Sequence, residues 1–310
     1  EKRKTNPLHV DRKHKRKLLL GVMPYWFTRN IVMKAFSFIN RIRYSVDQLS
    51  ATSFIINEAG GVAHFVPAYD ELLRLGTAGI KEQIAARKNT SGISPVQLNF
   101  LESAHIAVEA LEKFAARYRS EAERIGRQDM ADMLGRIPVQ PATNIREALQ
   151  TIWLYQALIQ IESLDQGISP GRLDQILCPY YLREKDAGTF DADEFRDLLC
   201  AFCLKLSEVI PLFSDRLTRY YSGLPTGQAV IIGGLDAQGN CAANELTYLI
   251  LDVIEKFQVR QPNWHARIGQ RSDKRYVDRV MQVVAQGGGS PALYNDDVIM
   301  PALEKHHLDG

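Results

Sequence analysis

Three polar clusters in this chain have residue types and spacings that could do chemistry. Asn295-Asp296-Asp297 sets two carboxylates beside an amide, a set that can position a substrate or hold a hard cation. The same run is also an ordinary polar loop and helix cap. The segment Gln166-Gly167-Ile168-Ser169-Pro170-Gly171-Arg172-Leu173-Asp174-Gln175 leaves an apolar helix and turns through Gly and Pro. It carries a guanidinium and a carboxylate two residues apart, which would fix a turn or pair across a buried loop; on physical grounds alone a structural ion pair is favoured there. His64 follows Gly60-Gly61 in a loop between helices, where backbone can approach a ligand closely. A solvated surface histidine explains it equally well.

Other candidates are weaker. Cys200 and Cys203 form a C-x-x-C, but they sit inside the apolar stretch Phe195–Ile210, flanked by Leu198, Leu199, Phe202 and Leu204. A redox pair belongs at a helix N-terminus, so these thiols read as small core hydrophobes. With Cys178 and Cys241 they offer no second pair, and no metal site is predicted. Gly233-Gly234 and Gly287-Gly288-Gly289 lack the spacing and the Lys-Ser/Thr of phosphate loops. His265 alternates with Trp264 on a strand, so one faces helices and the other faces away from them.

Elements must hold these residues in place. Ser94-Pro95-Val96-Gln97 carries a cap, a first-turn proline and a glutamine that closes a capping box. The stripe Leu101, Ala104, Val108, Leu111, Ala115, Tyr118, Ala122, Ile125 then predicts one buried face of a long helix. Asn144 and Glu147 open another helix, Ile145–Leu164, apolar on most sides and therefore buried. After residue 221 the texture changes. Strands are predicted over Gln228–Ile232, Pro262–Ile268 and Ala292–Tyr294, with helices over Asn244–Phe257 and Asp273–Gln286 between them. Strand–helix alternation of this kind predicts a parallel sheet with right-handed crossovers. Three parallel strands with open margins make a poor finished domain. The expected organisation is therefore a mainly helical part, 1–221, and the start of an α/β half-barrel, 222–310, within one domain.

Composition narrows the function classes. Of the 310 residues 45% are hydrophobic and 24% charged, which is globular rather than disordered. No apolar run is long enough for a membrane span, and no secretion signal is visible. Four cysteines suit a reduced compartment, so a cytoplasmic location is expected. The net charge of +2 hides a basic head: residues 1–17 carry +6, which leaves −4 for the rest. No aromatic residues interleave those charges, as single-strand binders require, so a solvated helix face is favoured and no nucleic-acid partner is expected.

Several segments together resemble the glycyl radical enzymes, the pyruvate formate-lyase-like superfamily, in its lyase and dehydratase branch. They are Pro24-Tyr25-Trp26, Gly61–His64 with Tyr69, and Ile161-Glu162-Ser163 followed by Ile168–Gln175 and Pro179-Tyr180-Tyr181. Gly233-Gly234 with Gly239 and Asn244, Pro262-Asn263 with Arg267, and Pro291–Asp297 follow in family order. The resemblance implies an α/β fold: a ten-stranded barrel of two half-barrels wrapped in helices, usually a homodimer. It implies a glycyl radical installed by a separate S-adenosylmethionine iron–sulfur activase, and a thiyl radical that abstracts a hydrogen atom from a small substrate. Such a radical needs a dry enclosure.

The family's catalytic cysteine stands in a Gly-Cys-x-Glu context, and its radical glycine in Arg-Val-x-Gly-Tyr. Neither motif occurs here. The resemblance thus implies an interior piece of such an enzyme, inactive alone, with no catalytic residue of its own; a non-catalytic scaffold subunit is the alternative. His64 matches the family's pocket histidine, and Asn57 a neighbouring asparagine. Gln166 and Gly167 stand where diol dehydratases carry a His-Ser pair, which argues against a diol substrate. Arg172, Asp174, Asn295 and Asp296 are expected close to the site as structural residues. The expected reaction is radical C–C or C–heteroatom cleavage, by a lyase or an acyltransferase of the formate acetyltransferase type.

Overall fold

A computed structural model describes residues 9–27, 29, 34, 36–50, 64–162, 167–210 and 226–305. Asn57, Gly60-Gly61 and Gln166 lie outside the described residues, as do Ser163 and Leu164 at the end of the second expected helix.

The chain starts with helix α1 (Arg12–Lys17), capped by Asp11, whose carboxylate accepts from the His14 amide at 2.7 Å. Its basic residues are solvent-exposed. A π turn at Leu18–Val22 carries it into α2 (Met23–Phe27), and α3 (Phe38–Ser50) follows. The helical body comprises α4 (Tyr69–Lys88), α5 (Pro95–Arg124), α6 (Gln128–Arg136) and α7 (Ile145–Glu162). The capping box expected at Ser94 is complete in both directions, with Pro95 in the first turn. Only the middle of the expected stripe is fully buried, at Leu111, Ala115 and Ala122. Tyr118 and Ile125 are exposed. Helix α7 buries Ile145, Ala148, Leu149, Ile152, Trp153 and Leu154, as expected of a helix apolar on most sides.

Four parallel strands stand in sequence order: β1 (Gly171–Arg172), β2 (Ala229–Gly233), β3 (Asn263–Ile268) and β4 (Ala292–Asn295). Helices α8 (Leu173–Asp186), α9 (Ala192–Ser207), α10 (Glu245–Lys256) and α11 (Lys274–Ala285) pack behind them, and α12 (Asp296–Lys305) follows β4. The sheet therefore has one strand more than the three expected from sequence. β1 is only two residues long, and no period can be read from two residues. It lies within the segment read as a turn.

One face of the sheet is covered. Val230, Ile232, Trp264 and Ala266 join Leu173, Leu177, Leu199, Ile250, Tyr276 and Val280 in a single core. Burying each such aliphatic side chain stabilises by roughly 1.5–3 kcal/mol. Side chains alternate along a strand, so Trp264 is the residue that faces the helices and His265 the one that faces away. In the parallel register Arg172, Ile231 and His265 share that second face, and Arg267 and Tyr294 lie further along it. The β4 residues are all exposed, and no strand pairs with the outer side of β4 among the described residues.

Candidate functional site

The carboxyl ends of β1, β2 and β3 are tied together by a small number of buried polar bonds. Asp174, fully buried, accepts from the Gly233 amide and from the Thr247 hydroxyl, each at 2.8 Å. Burial pushes its carboxyl above the ordinary carboxylate range, while those two donors and the nearby Arg172 charge act in the opposite sense. Arg172 reaches over the same loop, donating to Gly233 O at 2.8 Å and Leu235 O at 3.1 Å. Burial lowers its pKa, with Asp174 opposing. Gln175 donates to Ala242 O, and the Asn244 amide donates to Asp174 O. The ion pair expected between Arg172 and Asp174 is not formed. Each side chain goes instead to the turn after β2, because that turn leaves two carbonyls and one amide that the sheet cannot satisfy. Gly233 has φ 68°, and a Cβ there would overlap the Tyr276 hydroxyl. That hydroxyl lies 3.2 Å from both Ile232 O and Arg267 O and shares its single proton between them.

The Asn-Asp-Asp run joins the same end. Arg267 makes a two-pronged ion pair with Asp296, at 2.7 and 3.0 Å, and Asp296 is only 4% exposed. Asn295 accepts from the Asp297 amide and caps α12, and Asp297 accepts from the Gln270 amide at 2.7 Å. The cap reading of this run accounts for Asn295 alone; Asp296 and Asp297 bind Arg267 and the Gln270 amide at the end of β3. No trio of His, Cys, Asp or Glu suited to a metal occurs among the described residues. On the uncovered face the His265 and Tyr294 rings pack at a tilt of 40° with centroids 4.8 Å apart, and burial pulls the His265 pKa down.

His64 and Gly167 lie at the opposite end of the strands. Gly167 N donates to Thr226 O at 2.8 Å, three residues before β2 begins. Thr226 and Gly233 are seven residues apart, so at about 3.3 Å per extended residue the two groups are separated by on the order of 20 Å. His64 is the one non-glycine residue with positive φ among those described, at 58°. Holding a side-chain-bearing residue there costs about 1–3 kcal/mol, and such strain clusters at functional sites. Its imidazole lies directly against Gly167, where any Cβ would collide with the ring. Phe65 O then accepts from Ser169 N at 3.0 Å, so the two segments run side by side.

Beneath this contact lies a set of amides that sequence reasoning missed. The Tyr69 hydroxyl bonds to Gln156 Oε1. Gln156 Nε2 donates to Ile168 O at 2.5 Å and to Gln228 Oε1 at 2.9 Å. Gln228 Nε2 donates on to Leu206 O and the Thr226 hydroxyl. Tyr69, Gln156 and Gln228 are all fully buried. Gln156, a polar residue inside the apolar run 152–159, was the available signal, since buried amides must be satisfied.

The cysteines take no part. Cys203 is fully buried inside α9, and burial pushes the thiols of Cys203, Cys200 and Cys178 upward. Mid-helix burial disfavours the thiolate form in the C-x-x-C.

Residues 1–309 match the pyruvate formate lyase-like family model. The chain belongs to the pyruvate formate lyase-like family. Among relatives of this family, isethionate sulfite-lyase of Desulfovibrio desulfuricans is 28% identical over 96% of the chain and 39% of its own length. The probable dehydratase YbiW of Escherichia coli is 31% identical, again over 96% of the chain and 39% of its own length. A crystal structure of a glycyl radical enzyme from Archaeoglobus fulgidus superposes with a TM-score of 0.84 and 31% identity, covering 99% of the chain and 41% of that protein. The chain thus spans about two-fifths of the length of these pyruvate formate lyase-like proteins, and its helix-rich body with a parallel sheet matches part of their barrel.

Proposed function

We propose that this chain forms the helical jacket (1–221) and the first strands (222–310, with β1) of one catalytic domain in a glycyl radical enzyme that cleaves a C–C or C–heteroatom bond of a small substrate. The observation that carries the reading is the strained His64 held against Gly167, within a chain whose fold matches glycyl radical enzymes. His64 contacts substrate, and the family resemblance assigns Asn57 and Gln166 to substrate binding as well. Gly167 leaves the space that the imidazole fills. Arg172, Asp174, Asn295 and Asp296 hold the far ends of the strands in place and touch no substrate. Lyase chemistry is favoured over acyl transfer because the relatives named above are a sulfite-lyase and a dehydratase.

The radical supplies hydrogen-atom abstraction. It would be installed by an S-adenosylmethionine iron–sulfur activase, in a cytoplasmic, oxygen-poor setting, on a homodimer. The residues of this chain bind and orient the substrate and keep water out. No helix among the described residues is long and apolar enough to cross a membrane.

The test is anaerobic activation of the native-length protein followed by electron paramagnetic resonance. An organic-radical signal, together with Gly-Cys-x-Glu and Arg-Val-x-Gly-Tyr in the same gene, is the expected result. His64→Gln should keep the signal and lower turnover about 100-fold, the scale of a misplaced substrate. A silent spectrum with a competent activase would leave a scaffold role instead.

A further inference from the structure

Two chain segments meet at the His64–Gly167 contact, and they come from distant parts of the sequence. One leads into α4 and the other leads into β1. The strain at His64 persists only if both segments are held firmly, since a left-handed residue relaxes when its surroundings permit. Tyr69 lies five residues after His64, and Ile168 is the residue after Gly167. Both are bonded to the same side chain, Gln156. We propose that Gln156 is a positioning residue that sets the His64 imidazole against Gly167, with Tyr69 and Gln228 as its anchors. The inference deepens the function proposed above and rests on its assignment of His64 to substrate contact.

The chemistry of the side chain explains why an amide stands at this position. Gln156 must accept from a hydroxyl and donate twice, to the Ile168 carbonyl and the Gln228 carbonyl oxygen. Only an amide offers one acceptor oxygen and two N–H donors on one rigid group. A carboxylate would set an acceptor against two acceptors, and an apolar residue would leave all three partners unsatisfied. Gln228 extends the set to the Leu206 carbonyl at the end of α9 and the Thr226 hydroxyl. Thr226 O in turn receives the Gly167 amide. The loop is therefore closed: Gln156 holds Gly167 from one side through Ile168 and from the other through Gln228 and Thr226. With every member buried, the set has no water to substitute for a lost partner.

The test reads the position of the ring and not activity. In native-length protein with histidine labelled at 13Cε1, the His64 signal is assigned by its loss in His64→Gln. Gln156→Leu should move or broaden that signal while the other histidine signals stay in place. Tyr69→Phe, which removes one bond and keeps the ring, should move it in the same direction by less, and it decides the matter if Gln156→Leu does not fold. Leu199→Ala is the control: it opens a cavity at a fully buried site in α9 and should leave the His64 signal unmoved at a comparable loss of melting temperature. An unmoved His64 signal in folded Gln156→Leu or Tyr69→Phe, or an equal movement in Leu199→Ala, would overturn the proposal. None of these outcomes depends on turnover, so a failure of the radical reading would appear separately, as a silent paramagnetic spectrum with the His64 shifts intact.

Discussion

Asp174 shows how one side chain ties sequence to fold. It satisfies two buried donors, so Asp174→Ala should cost about 3 kcal/mol by leaving the Gly233 amide and the Thr247 hydroxyl without this acceptor. Urea midpoints would measure this. Its pH behaviour follows from the upward direction of its pKa. The native carboxyl binds its proton more tightly than the unfolded one. Its contribution is therefore fully present below the unfolded value and is lost as pH rises from there through the native value. Asp174→Asn should flatten the decline in stability from pH 4 upward, as read by urea titrations at several pH values; an unchanged slope would contradict it. At Gly233 the constraint is steric. Gly233→Ala should lose about 2–4 kcal/mol, because the backbone is left-handed and the new methyl lands on the Tyr276 hydroxyl.

At the scale of elements, caps and ion pairs make separable contributions. The Ser94 box on α5 is exposed and local, so Ser94→Ala should cost about 1 kcal/mol and leave the sheet untouched. The Arg267–Asp296 pair is different, since one partner is almost completely buried. Arg267→Met would strand a buried carboxylate and should cost about 3–5 kcal/mol. Hydrogen exchange should show the loss first at the junction of β4 and α12, and uniform deprotection across the chain would argue against this local role. The periodic elements were legible in advance: β2, β3, β4, α10 and α11 stand within a residue or two of where alternation and apolar spacing put them. β1 was not, because two residues carry no period and its strand state comes from Val230 and Ile231 beside it.

At the scale of the whole molecule, apolar surface and strand margins stand uncovered. Leu20, Phe27 and Phe38 are each about two-thirds exposed or more, and β4 has an unpaired outer side among the described residues. Residues 1–310 produced alone should therefore self-associate at micromolar concentration and bind an apolar dye, which sedimentation and fluorescence would detect. A monodisperse, dye-silent preparation would show that these surfaces find cover within the chain.

The sequence by itself determined the α/β class, the order of the longer elements, the mid-helix place of the C-x-x-C and the family, because each depends on local period or on a run of adjacent residues. Tertiary structure alone decided three things: that Arg172 and Asp174 grip the turn after β2 and not each other, that His64 and Gly167 meet at one end of the sheet with Asn295 and Asp296 at the other, and that Gln156 joins Tyr69 to Gln228. Which partner a buried polar group takes depends on the unsatisfied donors and acceptors that folding brings within about 3 Å of it, and those come from positions far apart in the chain.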